Sequence, residues 1–320
     1  MCTSLPPYKF LPVFKPVLWG GEEIARYKGL SPMSQPIGES WELSAVPGME
    51  TTVQGGPDHG LTLTQLIARH GSRLLGEDVA DRFGQRFPLL IKFIDAHRDL
   101  SVQVHPDDAM ARRLGYDNGK TEMWYVIQAR RGAKITAGFS HPITPDDYDR
   151  LVAGKRIMDV VAQYDSHPGD VFFIPPGQIH AIGAGKLVAE IQQTCDLTYR
   201  VYDYDRRDAQ GNPRELHTQL ARQALNYGVV NSLVNQPDGT QPLVRCRQFT
   251  VRKLASRGGA RITMPVPAAM MIIMCVAGAT RLTLDDGQHT TLRQGETVLI
   301  PATAGGIACS DEAQLLLITI

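Results

Sequence analysis

Neither sign of charge is in surplus in this chain: 33 Lys and Arg stand against 33 Asp and Glu. With no long-range field of one sign, neither nucleic acid nor an anionic membrane is an expected partner. A local anion site is still compatible with that balance. Cysteine is scarce, and the five present (Cys2, Cys195, Cys246, Cys275, Cys309) are scattered, odd in number and without a C-x-x-C pair. This argues against a disulfide framework and against a cysteine-ligated zinc. Long apolar runs are missing too: a stretch such as PAAMMIIMCVAGA holds about 12 apolar residues, too few to span a bilayer. The opening MCTSLPPYKF has no charged region followed by an apolar one, so no signal peptide is visible and a cytoplasmic location is expected. A Gly-rich phosphate loop is also lacking, because GGPDHG (55–60) does not precede a strand–helix unit of the needed kind.

What is present can build a substantial core. Hydrophobic residues make up 43% and charged residues 21% of 320 positions, enough for one large domain or two moderate ones. Most of the chain reads as short strands punctuated by Gly, Pro and Asp: FPLLIKFIDA (87–96), LSVQVH (100–105), MWYVIQA (123–129), DVFFIP (170–175), KLVAEIQQT (186–194) and LTYRVYDY (197–204). Helical patterns interrupt them. Leu63, Leu66, Ile67, His70 and Leu74 follow 3.6-residue spacing, with Thr62 or Thr64 as cap. Pro145-Asp146-Asp147 opens a short helix through Leu151 that ends near Gly154. Pro213 through Tyr227 reads as a longer helix, with Leu216, Leu220, Ala224 and Leu225 on one face. The polar segment near 231–242 reads as a linker.

The segment GDVFFIPPGQIH (169–180) recurs as GETVLIPATAGG (295–306). Gly169 pairs with Gly295, Pro175 with Pro301 and His180 with Gly306, at a constant offset of 126. In a β-rich context this predicts a duplicated barrel whose second copy lacks the histidine.

Gln103, His105, Glu122 and His180 form the constellation that carries chemistry. Side chains two apart on a strand share a face, so Gln103 and His105 can converge on one point. His180 follows the turn Pro175-Pro176-Gly177, and Glu122 begins another strand. Two imidazoles, a carboxylate and an amide oxygen suit a borderline divalent ion such as zinc and leave room for water or substrate oxygens. A histidine taken singly on a strand is more often a structural core residue; the joint pattern favours a metal site. His217, on a helix, and His59, in a loop, read as structural or exposed.

These residues resemble the cupin superfamily and, within it, the type I phosphomannose isomerases in their short bacterial form. The resemblance covers KPVLWGG (15–21), GESWELS (38–44), LSVQVHPDD, GKTEMWYVI (119–127), PPGQIHAIGAG (175–185) and EIQQTCDLTYRVYDYDR (190–206). A generic cupin carries His-x-His where this chain has Gln-x-His. One departure is Ala184, where an Asn is often found. The resemblance implies a mostly β fold of two cupin (jelly-roll) barrels with helical insertions: a catalytic domain over 1–234 and a degenerate, metal-free one over 235–320. It implies one zinc per chain on Gln103, His105, Glu122 and His180, and interconversion of mannose 6-phosphate and fructose 6-phosphate. It also implies catalytic roles for Arg200, Lys120 and Glu190. A small phosphosugar is the expected partner, and a monomer or weak homodimer the expected state.

Aldose–ketose isomerisation moves a proton between C2 and C1 through a cis-enediol, which needs a base near both carbons. Lys120 and Glu190 are the candidates, and a lysine beside zinc should have its pKa lowered. Arg200 can hold phosphate or stabilise the enediolate; a salt bridge to Asp203 or Asp205 is the bland alternative. Lys92 interrupts an apolar run and either points at the site or snorkels at a strand edge. Trp19 and Trp41 can line a sugar pocket or simply fill the core. Two other functions stay open: an iron-dependent cupin oxygenase, which the glutamine at 103 disfavours, and a non-catalytic sugar-binding cupin.

Overall fold

A computed structural model describes residues 4–208, 210–234, 241–265 and 268–320. Antiparallel pairing builds three sheets. The first has seven strands, in spatial order Leu233–Val234, Val171–Ile174, Glu122–Ala129, Lys186–Gln193, Leu89–Ala96, Ile37–Leu43 and Val13–Gly21. The second has five: Tyr199–Tyr202, Val102–Val104, His180–Ile182, Lys134–Phe139 and Val161–Asp165. These two sheets face each other. Ile94, Trp124, Val126 and Phe172 from the first pack against Ile135, Ala137 and Ile182 from the second in one apolar cluster.

The central strands are buried along their whole length. All eight residues of Leu89–Ala96 and of Lys186–Gln193 are buried, because one face meets the second sheet and the other meets the rest of the molecule. That second face shares a core with the helices Leu63–His70, Ser72–Leu75 and Glu77–Phe83 and with the C-terminal strands. Near-continuous apolar runs are what two-sided burial requires. A lysine and a glutamate inside such runs, Lys92 and Glu190, therefore need partners there.

The third sheet has ten strands, mostly C-terminal, including Thr250–Arg257, Met271–Leu284, Thr297–Ile300 and Glu312–Thr319. It folds over its own apolar core around Ile273, Leu282, Val298 and Leu315. The fold is thus mostly β and cupin-like, with helices inserted between strands. The expected repeat is visible in the elements: Val171–Ile174 corresponds to Thr297–Ile300 at the same offset of 126. Gly169 and Gly295 both take left-handed backbone, with φ of 97° and 79°. His180 opens the strand His180–Ile182, and Gly306 stands directly before Ile307–Cys309.

The expected division at 234/235, and much of the linker near 231–242, falls on residues 235–240, which lie outside the described residues. The ten-stranded sheet draws strands from both sides of it. Tyr8–Leu11 pairs with Thr297–Ile300, Tyr8 opposite Leu299, and with Thr52–Val53.

Two helical expectations hold in their main part, although Leu74, expected on the first helix, falls beyond Gly71 in the separate helix Ser72–Leu75. Leu63–His70 is capped by Thr62, whose hydroxyl accepts from the Gln65 amide in a capping box. Pro145–Ala153 is capped by Thr144 and stops at Gly154. The third needs correction: of 213–227 only Thr218–Ala224 is helical. Residues before it are held extended by other partners. Pro213 bridges Arg207, and His217 N–H donates to the Arg200 carbonyl at 2.7 Å. Leu216, expected on the buried face, is 44% exposed. His217 itself stands just before the helix. Among the described residues, no helix is long and apolar enough to cross a membrane.

Thr62→Ala removes the cap hydroxyl, and the expected loss is about 1 kcal/mol of stability. A lowered urea midpoint at unchanged slope is the readout.

Candidate metal centre and active-site cleft

Strand register explains how the ligands meet. Gln103 lies opposite both His180 and Arg200 on its two neighbouring strands, so residues from three strands converge at one level of the five-stranded sheet. Glu122 begins a strand of the facing sheet. The ligand atoms of His105, Glu122 and His180 all lie within 4.8 Å of one another.

Each imidazole is fixed by its Nδ1–H. That of His105 donates to the Leu197 carbonyl at 2.7 Å, and that of His180 to the Gln178 carbonyl at 2.8 Å. Both Nε2 atoms therefore present lone pairs, and they face each other at 3.1 Å. Burial pushes the His180 imidazole down to about 3. Burial, then Lys120 and His180, hold His105 well below the ordinary histidine range. Neither ring is thus protonated to relieve the contact. Glu122 sits 3.3 Å from His180 Nε2 and 3.6 Å from His105 Nε2, is wholly buried, and has no hydrogen-bond partner on either carboxylate oxygen. Gln103 Nε2 is 3.3 Å from His180 Nε2, and turning the amide over puts its oxygen there instead. Metal bonds of about 2.1 Å separated by angles of about 95–115° would place donors about 3.1–3.5 Å apart. The protein already holds them at that spacing, so the set fits a metal ion.

Lys120 lies two residues before Glu122, its Nζ 2.9 Å from Glu122 Oε2 and 3.2 Å from His105 Nε2. The ammonium is close enough for an ion pair but off the line of a good hydrogen bond to the carboxylate. Among the protein's own groups its shift is opposite to the lowering expected beside zinc. Burial would lower its pKa, but Glu122 and Glu190 outweigh burial and raise it. Glu122 is pushed up to about 7, by burial first and by Glu190, against the pull of Lys120.

A row of register partners runs from here across the seven-stranded sheet: Trp124 opposite Glu190, Glu190 opposite Lys92, Lys92 opposite Trp41. Trp124 Nε1 donates to Glu190 Oε1 at 2.9 Å, and Lys92 Nζ sits 3.1 Å from Oε2. Burial opposes ionisation of Glu190, but Lys92 and Lys120 override it and hold the carboxyl at about 2. Lys92 also faces Glu39 at 3.5 Å. It is fully inside, so the snorkelling alternative does not apply.

The row opens into a cleft of about 310 Å³. Gln103, Lys120, Glu190, Lys92, Trp19 and Arg200 all line it, while His105, Glu122 and His180 sit behind its floor. Trp41 does not line it; its indole lies under Lys15 and Lys92, at 4.2 and 5.0 Å, and donates to Glu39. The bland reading of Arg200 fails: Asp203 is taken by Arg206 and Arg214, and Asp205 by Lys155. Arg200 instead donates Nη1–H to the Glu215 carbonyl at 2.8 Å, and its Nε has no partner. Sequence reasoning missed Lys15, Ser101, Trp124, Asp196 and Arg214. Only Trp124 left a signal, as the next same-face residue after Lys120 and Glu122.

With the geometry in place, similarity to known proteins becomes informative. Residues 8–130 match the family model of the phosphomannose isomerase type I catalytic domain. The chain is 33% identical to the mannose-6-phosphate isomerase ManA of Bacillus subtilis, over 97% of this chain and 98% of that one. The chain belongs to the type I phosphomannose isomerases. A mannose-6-phosphate isomerase of Streptococcus mutans is 35% identical over 89% of each chain. The crystal structure of the Bacillus subtilis mannose 6-phosphate isomerase superposes with a TM-score of 0.89 at 32% identity, over 99% of this chain and all of that one.

For this phosphomannose isomerase the raised Glu122 carboxyl gives a pH-dependent metal centre. A carboxyl moved from 4.5 to about 7 favours the metal-free fold below pH 4.5, and that contribution is lost as pH rises through 7. Metal must also displace the Glu122 proton below that point. The metal-induced rise in Tm should therefore grow from pH 5 to pH 7 and level off above. Glu122→Gln should abolish that slope.

Proposed function

We propose that this chain interconverts mannose 6-phosphate and fructose 6-phosphate, with zinc held by Gln103, His105, Glu122 and His180. The observation that carries the reading is a buried His105/Glu122/His180 triad opening, through Gln103 and Lys120, into a cleft lined with cations. Lys15, Lys92, Lys120, Arg200 and Arg214 are offset in the wall by Glu39, Glu190 and Asp196. Five positive charges against three negative leave the wall with an excess of two positive charges. That matches a phosphate monoester, which carries about −1.5 to −2 at neutral pH.

Bound zinc would supply Lewis-acid polarisation of sugar oxygens without redox chemistry. The chain's own residues do the rest. One proton leaves C2 and returns at C1 through a cis-enediol, while a second moves between O2 and O1. Lys120 and Glu190 both line the cleft and are the groups that move them. Glu190 is held ionised by Lys92, 3.1 Å from its Oε2, so it is in the form that accepts a proton, and the same ammonium makes that proton easy to give back. Lys120 is held cationic largely by Glu122, and a ligand role for Glu122 weakens that hold, freeing the amine as a base. Arg200 lies beside Gln103 by register, where its guanidinium can meet charge developing on an enediolate oxygen. Trp19 and Lys92 line the sugar's position.

Conversion of mannose 6-phosphate, followed in a coupled assay, should stop on chelation and return with zinc. Full zinc content with no turnover would remove the reading. His180→Ala should lose metal and activity together. Arg200→Ala should keep the metal while kcat falls about 10²–10³-fold; loss of metal in that variant would refute the role given to Arg200.

A further inference from the structure

The cations in the cleft are not equally committed. Lys92 is paired with Glu190 and Glu39, Lys120 with Glu122, and Arg214 with Asp203. Among the described residues Arg200 has no carboxylate partner, but it sits at the metal end, in register with Gln103. Lys15 is different. Among the described residues its only ion pair is a loose one of 3.8 Å to Asp196, whose side chain is more than half exposed; Glu39, opposite it in register, feels its charge but is paired with Lys92. The Lys15 ammonium sits over an aromatic face, with Nζ 4.2 Å from the centroid of the buried Trp41.

Its distance from the reacting end fits one chemistry. Glu190, Lys92, Trp41 and Lys15 lie on four successive strands of the seven-stranded sheet. Lys15 leans back over Trp41, so its ammonium lies above the strand two places from that of Glu190. Two strand spacings are about 10 Å. In an open-chain hexose 6-phosphate, bond lengths near 1.5 Å put the phosphorus about 8 Å from C1 and C2. A sugar with its reacting carbons at Glu190 and Lys120 therefore ends with its phosphate at Lys15. We infer that Lys15, carried on Trp41, is the phosphate anchor at the end of the cleft away from the metal ligands. This rests on the isomerase reading above and adds a specificity residue to it.

An anchor that grips a non-reacting group contributes binding shared by ground and transition states, so its loss raises KM more than it lowers kcat. The test uses the zinc-loaded 320-residue chain with Lys15→Ala and Lys15→Arg, zinc content being measured for each. Inorganic phosphate serves as a competitive inhibitor that reports the anchor alone. Lys15→Ala should raise both the KM for mannose 6-phosphate and the Ki for phosphate by about tenfold or more, with kcat falling less than about threefold. Lys15→Arg should recover most of the lost affinity. Should Lys15→Ala lose zinc, Lys15→Gln, which keeps an aliphatic stem over Trp41, takes its place. An unmoved phosphate Ki, or a fall in kcat at constant KM, overturns the anchor. If the wild-type chain turns over no mannose 6-phosphate, the isomerase reading fails separately. Calorimetric titration of that sugar into wild type and Lys15→Ala then decides the anchor: weaker binding by the variant upholds it, and equal binding overturns it.

Discussion

Two imidazole nitrogens with their lone pairs turned toward each other at 3.1 Å are the contact around which the site is organised. Such a pair is repulsive unless a cation lies between. Both rings are prevented from rotating away by backbone carbonyls at Leu197 and Gln178. The protein has thus fixed the tautomers from behind, as metal-binding histidines require. It has also placed at the same point a buried Glu122 whose carboxylate accepts no hydrogen bond and is met only by the Lys120 ammonium among the described residues. Leaving a buried carboxylate without hydrogen bonds is expensive, and here the compensation comes from positive charge.

The same logic extends outward. Inside a two-sided buried sheet no charge can stand alone, so the site's polar groups come as a connected series. Lys120 faces Glu122, Lys92 faces Glu190 and Glu39, and Trp124 and Trp41 supply N–H donors to the carboxylates. Each member fixes its neighbour's protonation state, which ties the charge pattern of the cleft to the register of four adjacent strands. A buried charge network of this kind is weak evidence for stability; it is far better understood as a device for placing groups of defined charge.

Much of this was legible in the chain. Gln103, His105, Glu122 and His180 could be joined because strand alternation and the Pro-x-Gly-x-x-His turn fix local direction. Lys92 and Glu190 announced themselves by interrupting apolar runs. What escaped were contacts set by tertiary partners. The helical period over 213–227 is real as a pattern, but the backbone of 213–217 bonds to Arg200 and Arg207 instead of to itself. Asp203 looked like a partner for Arg200, and no spacing rule could show that Arg206 and Arg214 would claim it. Lys15 and Asp196, far apart in sequence and meeting only in space, had no local signature at all.

The pairing of Tyr8–Leu11 with Thr297–Ile300 has a bearing on how the chain is made. On its other edge Tyr8–Leu11 has Thr52–Val53, a partner close by in the chain. The edge that meets Thr297–Ile300 carries open N–H and C=O groups until that far later segment is made. The ten-stranded sheet is therefore finished only when late-synthesised strands return to an early one, and this pairing closes it like a clasp.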